Sequence, residues 1–500
     1  MKIVKCTFHN YRNLDGVTLY FDEVCNFFVG ENNIGKTNAL HALNVIFSGK
    51  DFSGEDFYDK NLPLKIEYTV KTKDKIENVN SIFKEYYLIK NYGEKKRIYS
   101  YSGNKIANTG MKCVFVDMKN NKETKIIFTP WQKDVVNVML NNLKLVKRAK
   151  KHTGDNSFID FIGKDEKALK TQSYPYFFVK KILLKLLGIL KGKGEEKSVI
   201  MLFDQPEINL HPFAQKTLIA DLMNLVLKKD EEFNRLIDEL FCIKKLELQL
   251  FLVSHSDRIL SERYENIIRF YRVNGRVKAI SGNNVKLKKD NKISVAKQLI
   301  MQFPYFSLAI FSKAVILVEG VSEFGAITEF AKTLDIDADY LGISIISANG
   351  EGNISAFSTL LESFGIKVFA VKDKDVFSER EKGIIYTDFI DFEDEIVRSA
   401  DLETLQKICS LLGFDFKDIT SLPLEKKNER YKYYSGKRKK PFTEREVNDI
   451  AVRKLACVSV LTSKKSVITG KIIGKYLRKE QIPQVYKNVL LSAKEYADKN

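Results

Sequence analysis

Short, almost wholly apolar runs recur along the chain, and each stops at polar residues or glycine. The clearest is Val315, Ile316, Leu317 and Val318, which ends at Glu319 and Gly320. A run of this length, rich in β-branched residues and without alternation, predicts a parallel strand buried on both faces. Similar runs lie at 198–203 (SVIMLF), 248–253 (LQLFLV) and 367–371 (KVFAV). The stretch SEFGAITEFAKTL after the 315–318 run has helical spacing, with Glu323 in its first turn. The opening KCTFHNYRNLDGVTLYF alternates as strands do. Residues 63–130 read as short alternating strands (KIEYTV, KEYYLI, RIYSYS, MKCVFVDM, TKIIFT) broken by Asn, Gly and Lys, which predicts an antiparallel arm. The span 131–170 is polar and Lys-rich, either a helical dimerisation arm or a link. From about 401 to 455 the pattern turns helical, most clearly in LETLQKICSLLGF, and a sheet is expected to resume near SVITG. The division implied is a first domain over 1–300, with 63–170 as insertion and dimerisation element, and a second over 305–500, with a helical insertion at about 401–455.

The residues at the end of each apolar run carry the chemistry. CNFFVGENNIGKTNAL fits G-x-x-x-x-G-K-[ST], with Gly30, Gly35, Lys36 and Thr37 in position and Asn33 and Asn38 within and just after the loop. Its glycines let backbone N–H groups wrap phosphates, Lys36 supplies a point charge, Thr37 a metal ligand, and the next helix its positive end. The 198–203 run ends in Asp204, and the 248–253 run ends in Ser254 and His255. The 367–371 run leads into Asp373-Lys374-Asp375, whose two carboxylates point the same way in extended chain. Ligands gathered at the carboxyl ends of neighbouring parallel strands sit where α/β sheets place their sites, and hard oxygen donors suit Mg²⁺ or Mn²⁺. An isolated Asp-x-Asp is usually a solvated pair; one that comes after a second apolar strand ending in Glu-Gly is not an isolated one.

These residues resemble two families. Glu319, Asp373 and Asp375, with SIISANGEGNI and its Gly350 and Gly352 between them, look like the TOPRIM domain of topoisomerases, primases and certain nucleases. The phosphate loop, Asp204 as Walker B acid and His255 as switch histidine resemble ABC ATPases of the SMC and RecF type, in which Arg12 would lie near the nucleotide. Two departures stand out. Gln205 occupies the place of the glutamate that usually polarises the attacking water, and it can orient water without accepting its proton. Glu207, in the same turn, is the alternative acid. Where the ABC signature would precede the Walker B strand, KTQSYPYFFVKKILLKLL offers Ser173 but no glycine pair. Firm ATP binding with slow or absent hydrolysis is therefore expected.

An ABC-type ATPase joined to a TOPRIM domain resembles the OLD (overcoming lysogenisation defect) nucleases, with the nuclease subunit of the Gabija antiphage system and retron-associated effectors as relatives. The resemblance implies an α/β fold: an ABC-type P-loop ATPase domain, then a Rossmann-like TOPRIM domain with a helical insertion. It implies Glu319, Glu323, Asp373 and Asp375 as metal ligands, Asp391 or Glu393 as a later acid, and Lys471, in SVITGKIIGKYL, as the catalytic lysine. It also implies ATP and Mg²⁺ or Mn²⁺ as cofactors, and a homodimer or higher homo-oligomer. The expected activity is cleavage of DNA phosphodiester bonds in antiphage defence, gated by nucleotide and assisted by a helicase or a nucleic acid encoded nearby. Two alternatives stay open: a binding ATPase with a non-catalytic TOPRIM, and a TOPRIM nuclease directed at RNA.

Composition narrows the partners. Formal charge is +18 and pI about 9.2, so a phosphate-rich partner is expected, while the shortness of the apolar stretches argues against a membrane partner. Residues 425–446 interleave Tyr431, Tyr433 and Tyr434 with Arg430, Lys432, Lys437, Arg438, Lys439 and Lys440, either a nucleic-acid grip or a solvated loop. The 6 cysteines form no C-x-x-C pair, which argues against a zinc site or disulfide framework and suits a reducing cytoplasm. No apolar stretch is long enough to span a bilayer.

Overall fold

The computed structural model describes residues 1–48, 52–62, 64–71, 81–89, 98–100, 111–116, 127–153, 160, 162, 174–208, 210–260, 263–286, 295, 299, 302–374, 380–416 and 450–499. It divides into two units, Met1–Lys286 and Leu287–Asn500.

The first unit opens with a hairpin of β1 (Lys2–His9) and β2 (Thr18–Tyr20), after which β3 (Cys25–Gly30) enters a different sheet. Helix α1 (Lys36–Ser48) comes next, then β4 (Leu64–Lys71), β5 (Ser81–Ile89), β6 (Ile98–Ser100) and β7 (Met111–Val116). Three helices succeed them, α2 (Pro130–Asn142), α3 (Lys144–Thr153) and α4 (Tyr174–Leu190). The unit closes with β8 (Glu196–Asp204), α5 (Pro212–Val226), β9 (Lys245–Val253), β10 (Ile267–Val273) and β11 (Arg276–Ser281). One sheet is antiparallel, ordered β2-β1-β4-β5-β6; the other is ordered β11-β10-β3-β9-β8-β7, parallel from β10 to β7. Every residue of β3 is buried, as a central strand requires. Phe28 on β3 packs against Phe21, Phe251 and Phe270, with ring centroids 6.3, 6.2 and 5.6 Å away. Gln249, buried in β9, ties the sheets together by bonding both Ile3 N and Ile3 O at 2.8 Å.

Strand pairing corrects two expectations. MKCVFVDM does not join the antiparallel arm: β7 pairs parallel with β8, from Met111 opposite Ser198 to Val116 opposite Phe203. Alternation reports a buried face, here that of Val114 and Val116, and is blind to the direction of the neighbouring strand. TKIIFT forms no strand in its described part, residues 127–129.

The second unit alternates strand and helix: β12 (Ala314–Val318), α6 (Val321–Thr333), β13 (Ile343–Ser347), α7 (Glu351–Ser363), β14 (Lys367–Lys372) and β15 (Ile384–Tyr386). All pairings are parallel in the order β13-β12-β14-β15, so β12 is interior and fully buried. Helices α8 (Phe392–Ser399), α9 (Leu402–Leu411), α10 (Ile450–Ser463), α11 (Val467–Tyr476) and α12 (Gln484–Lys499) complete it. Its core runs from Ile316 and Val318 through Ile327 and Phe330 to Ile396, Leu461, Ile473 and Tyr486.

SVITG is the third correction: no sheet resumes there, because Val467–Tyr476 is helix. Ser466 caps it, its hydroxyl accepting from Thr469 N at 3.0 Å. Glycine, more than propensity, sets its place. A Cβ on Gly470 would lie 1.9 Å from Ser322 O, so α11 meets α6 backbone to backbone. Among the described residues no helix is long and apolar enough to cross a membrane.

Candidate functional site

In the first unit β3, β8 and β9 end side by side, with Asp204 opposite Val253 and Phe28 opposite Val253. That register brings the loop after Gly30, the Asp204 turn and the turn of Ser254 and His255 to one edge. Gly30 has φ +132, and a Cβ there would sit 2.2 Å from Phe270 O, so the loop departs as only glycine permits. Lys36, 4% exposed, donates from Nζ to Gly30 O at 2.8 Å and to Glu31 O. Burial lowers its pKa to about 8, against the pull of Asp204 and Glu31. Burial and the neighbouring Lys36 also lower the pKa of His255, leaving a neutral ring beside a cation. Thr37 follows Lys36 on α1, and Asn33 lies earlier in the loop, exposed and at a left-handed φ of +56. Arg12 is fixed by Asp56 Oδ1 at 2.8 Å and by Asn38 Oδ1 at 2.7 Å, and Asn38 donates to Asn13 Oδ1 at 2.8 Å. Gln205 takes a left-handed φ of +51 and donates its N–H to Val253 O at 2.9 Å. A nucleotide triphosphate with Mg²⁺ fits this donor set: an amine held at a glycine-rich loop on a helix N-terminus, with Thr37 and Asp204 as oxygen ligands.

The second unit gathers its charges at the ends of β12 and β14, which are adjacent in the sheet. Glu319 Oε2 accepts from Asp373 N at 3.3 Å, and Asp373 Oδ1 accepts from Phe392 N at 3.1 Å, at the start of α8. Glu323 turns back on its own helix start, Oε1 accepting from Gly320 N at 3.2 Å. Gly350 donates its N–H to Glu319 O at 3.1 Å, so the glycine turn leans on the end of β12. Asp391 caps α8 through Asp394 N at 3.0 Å, which leaves Glu393 to face inward, 1% exposed.

Burial and neighbouring acids raise the proton affinity of Asp373 and Glu323. Burial first, then Glu323, Glu319 and Glu393, push Asp373 up to about 8, with Lys465 opposing. Burial, then Glu393 and Glu319, push Glu323 up to about 7. Such mutual repulsion is what a divalent cation relieves, and four hard oxygen ligands fit one. As they stand, no three acidic, His or Cys side chains among the described residues are grouped closely enough to hold a metal ion; Glu323 is bonded to Gly320 N and Glu393 is paired with a lysine. Asp375 and Ser173, like residues 425–446, lie outside the described residues.

Among the described residues, the lysine that meets these acids is Lys465. Its Nζ lies 3.0 Å from Glu393 Oε2, and although burial disfavours its charge, Glu393, Glu323 and Asp373 raise its pKa. Lys471 is exposed on α11, with its backbone N–H over Gly325 of α6. Sequence reasoning passed over Lys465 because Lys464 and Lys465 are one pair among many; its position just before the capping Ser466 is the signal that could have marked it.

Two family models match. The OLD-like TOPRIM domain (overcoming lysogenization defect protein-like) matches residues 310–375, and an AAA ATPase domain matches residues 1–187. Among solved structures, the C-terminal region of the Burkholderia pseudomallei OLD protein is 16% identical, over 37% of this chain and 99% of that one, at a TM-score of 0.28. An SmcHead bound to the C-winged helix domain of ScpA is 14% identical, over 58% and 100%, at 0.35. The recombination mediator protein RecF-ATPrS is 14% identical, over 56% and 98%, at 0.34. No curated protein matches. The chain thus carries a segment that matches an AAA ATPase domain and another that matches an OLD-like TOPRIM domain, both mixed α/β.

Proposed function

We propose that this ATPase–TOPRIM chain is an ATP-binding nuclease that cleaves DNA phosphodiester bonds with Mg²⁺ or Mn²⁺, and that nucleotide state governs cleavage in antiphage defence. The observation that carries the reading is the meeting of Glu319, Glu323, Asp373 and Glu393 with Lys465 at the ends of two adjacent parallel strands. Glu319, Glu323, Asp373 and Asp375 hold the ions. A bound ion there supplies an activated water and charge at the scissile phosphate. Lys465, in the link before the capping Ser466, places a cation beside the acids, held to them by Glu393, and Lys471 is a second basic residue on the helix that follows. Phe392 N–H fixes the Asp373 carboxylate and so limits its rotation.

In the first unit, ATP is held by the loop at 30–38, Asp204 and His255 and is hydrolysed slowly or not at all, because Gln205 cannot take a proton from water. An ABC-type site is completed by a second protomer, so the working form is a homodimer or larger. The decisive assay incubates the full chain with supercoiled plasmid and, separately, total tRNA, with Mg²⁺ or Mn²⁺, beside Asp373→Ala. Ion-dependent plasmid cleavage that falls about a hundredfold in the variant is expected. Cleavage that survives the substitution, or is confined to tRNA, overturns the proposal.

A further inference from the structure

Glu207 lies beyond Asp204 on the turn after β8 and is 8% exposed. Its Oε1 accepts two hydrogen bonds, from the Ser254 hydroxyl at 2.7 Å and from His255 N–H at 2.9 Å. The chain of bonds continues: Ser254 Oγ accepts from Ser256 N at 2.9 Å, and the Ser256 hydroxyl donates to Gln215 Oε1 on α5 at 2.7 Å. Glu207 therefore ties the turn that carries Asp204 and Gln205 to the turn that carries His255. Its Oε2 is buried and has no hydrogen-bond partner among the described residues. Burying a carboxylate is costly, and two donors offset that cost only in part. A side chain needed for packing alone would be apolar.

We infer that Glu207 is a positioning residue of the nucleotide site: by fixing Ser254 and the His255 amide it holds the histidine beside Lys36, so that the site distinguishes a nucleoside triphosphate from a diphosphate. The inference rests on the reading of this unit as an ATP site. It assigns Glu207 a role other than replacing the missing general base, since the oxygen nearest the switch turn is already committed to two N–H and O–H donors. Glutamine at 207 keeps a carbonyl acceptor for both donors; alanine removes it.

The test measures equilibrium binding of a fluorescent non-hydrolysable ATP analogue and of fluorescent ADP, with Mg²⁺, to the full chain. Glu207→Ala should lose about tenfold in triphosphate affinity, as expected for a hydrogen bond to a charged group, with ADP affinity changed by less than about twofold. Glu207→Gln should stay within about threefold of wild type for both ligands. His255→Ala should reproduce the loss, and the double variant Glu207→Ala/His255→Ala should add nothing to it. Ser254→Ala breaks the same link more mildly and serves if Glu207→Ala does not fold. Unchanged triphosphate preference, equal loss for both nucleotides, or full additivity with His255→Ala overturns the inference. Wild-type protein that binds neither nucleotide sinks the ATP reading itself.

Discussion

Divalent-ion binding by the TOPRIM unit should strengthen steeply from about pH 6 to about pH 8, because the ligands must shed protons that the metal-free cluster holds unusually tightly. Asp373 is raised to about 8 and Glu323 to about 7. Over that pH interval the ionised fraction of a group at about 8 grows from ~0.01 to ~0.5, and that of a group at about 7 from ~0.09 to ~0.9. If both ionise on binding, apparent affinity gains at most roughly five-hundredfold; if Asp373 alone does, roughly fiftyfold. Isothermal titration with Mn²⁺ in two buffers of different ionisation heat gives both the affinity and the protons released. Between one and two protons should leave near about pH 7, and fewer in Asp373→Asn. The same shifts act oppositely on metal-free folding. A carboxylate whose folded pKa is raised lends stability that is full below about pH 4 and is lost as pH rises through about 7 to 8. Added Mn²⁺ should therefore raise Tm more at about pH 8 than at about pH 6. Affinity that varies less than about threefold across the interval, with no proton release, refutes the idea that these acids are held together against their own charge.

Two substitutions separate the lysines, and a third tests the helix crossing. Lys465→Met should cut plasmid cleavage about a hundredfold and lower stability by about 1 kcal/mol, the latter modest because the lysine is 47% exposed. Lys471→Met, on an exposed side chain, should cost less than about threefold in cleavage, and the reverse ranking in a paired assay would assign the catalytic role to Lys471. Gly470→Val should lower Tm by about 5 °C or more, because its Cβ falls 1.9 Å from Ser322 O and overpacking costs about 1–3 kcal/mol. An unchanged melting curve would mean that the two helix backbones do not touch.

How much could be read from residues alone depends on where each group sits. Gly30, Asp204, His255, Glu319 and Asp373 all stand at the point where an apolar strand stops, and a buried strand must end in whatever meets solvent or ligand. Both the strand and its terminus are local, so a run such as 315–318 announces them. The one group that was missed, Lys465, and the partners that Glu207 and Glu393 find arrive by tertiary packing. Lys465 reaches Glu393 because Gly470 lets α11 lie against α6, and the β-branched residues of SVITG, which suggest a strand, are overruled by the Ser466 cap and by that glycine contact. Glu207 reaches Ser254 and His255 only because β8 and β9 are neighbours in register, a pairing no spacing along the chain encodes. The expectation for β7 failed for the same reason, its alternation fixing a buried face and leaving the partner strand open. Strand-end chemistry is thus a local property of this chain. What positions that chemistry, Glu207 in one unit and Lys465 with Glu393 in the other, depends on contacts between segments far apart in sequence, and the proposed substitutions probe those contacts.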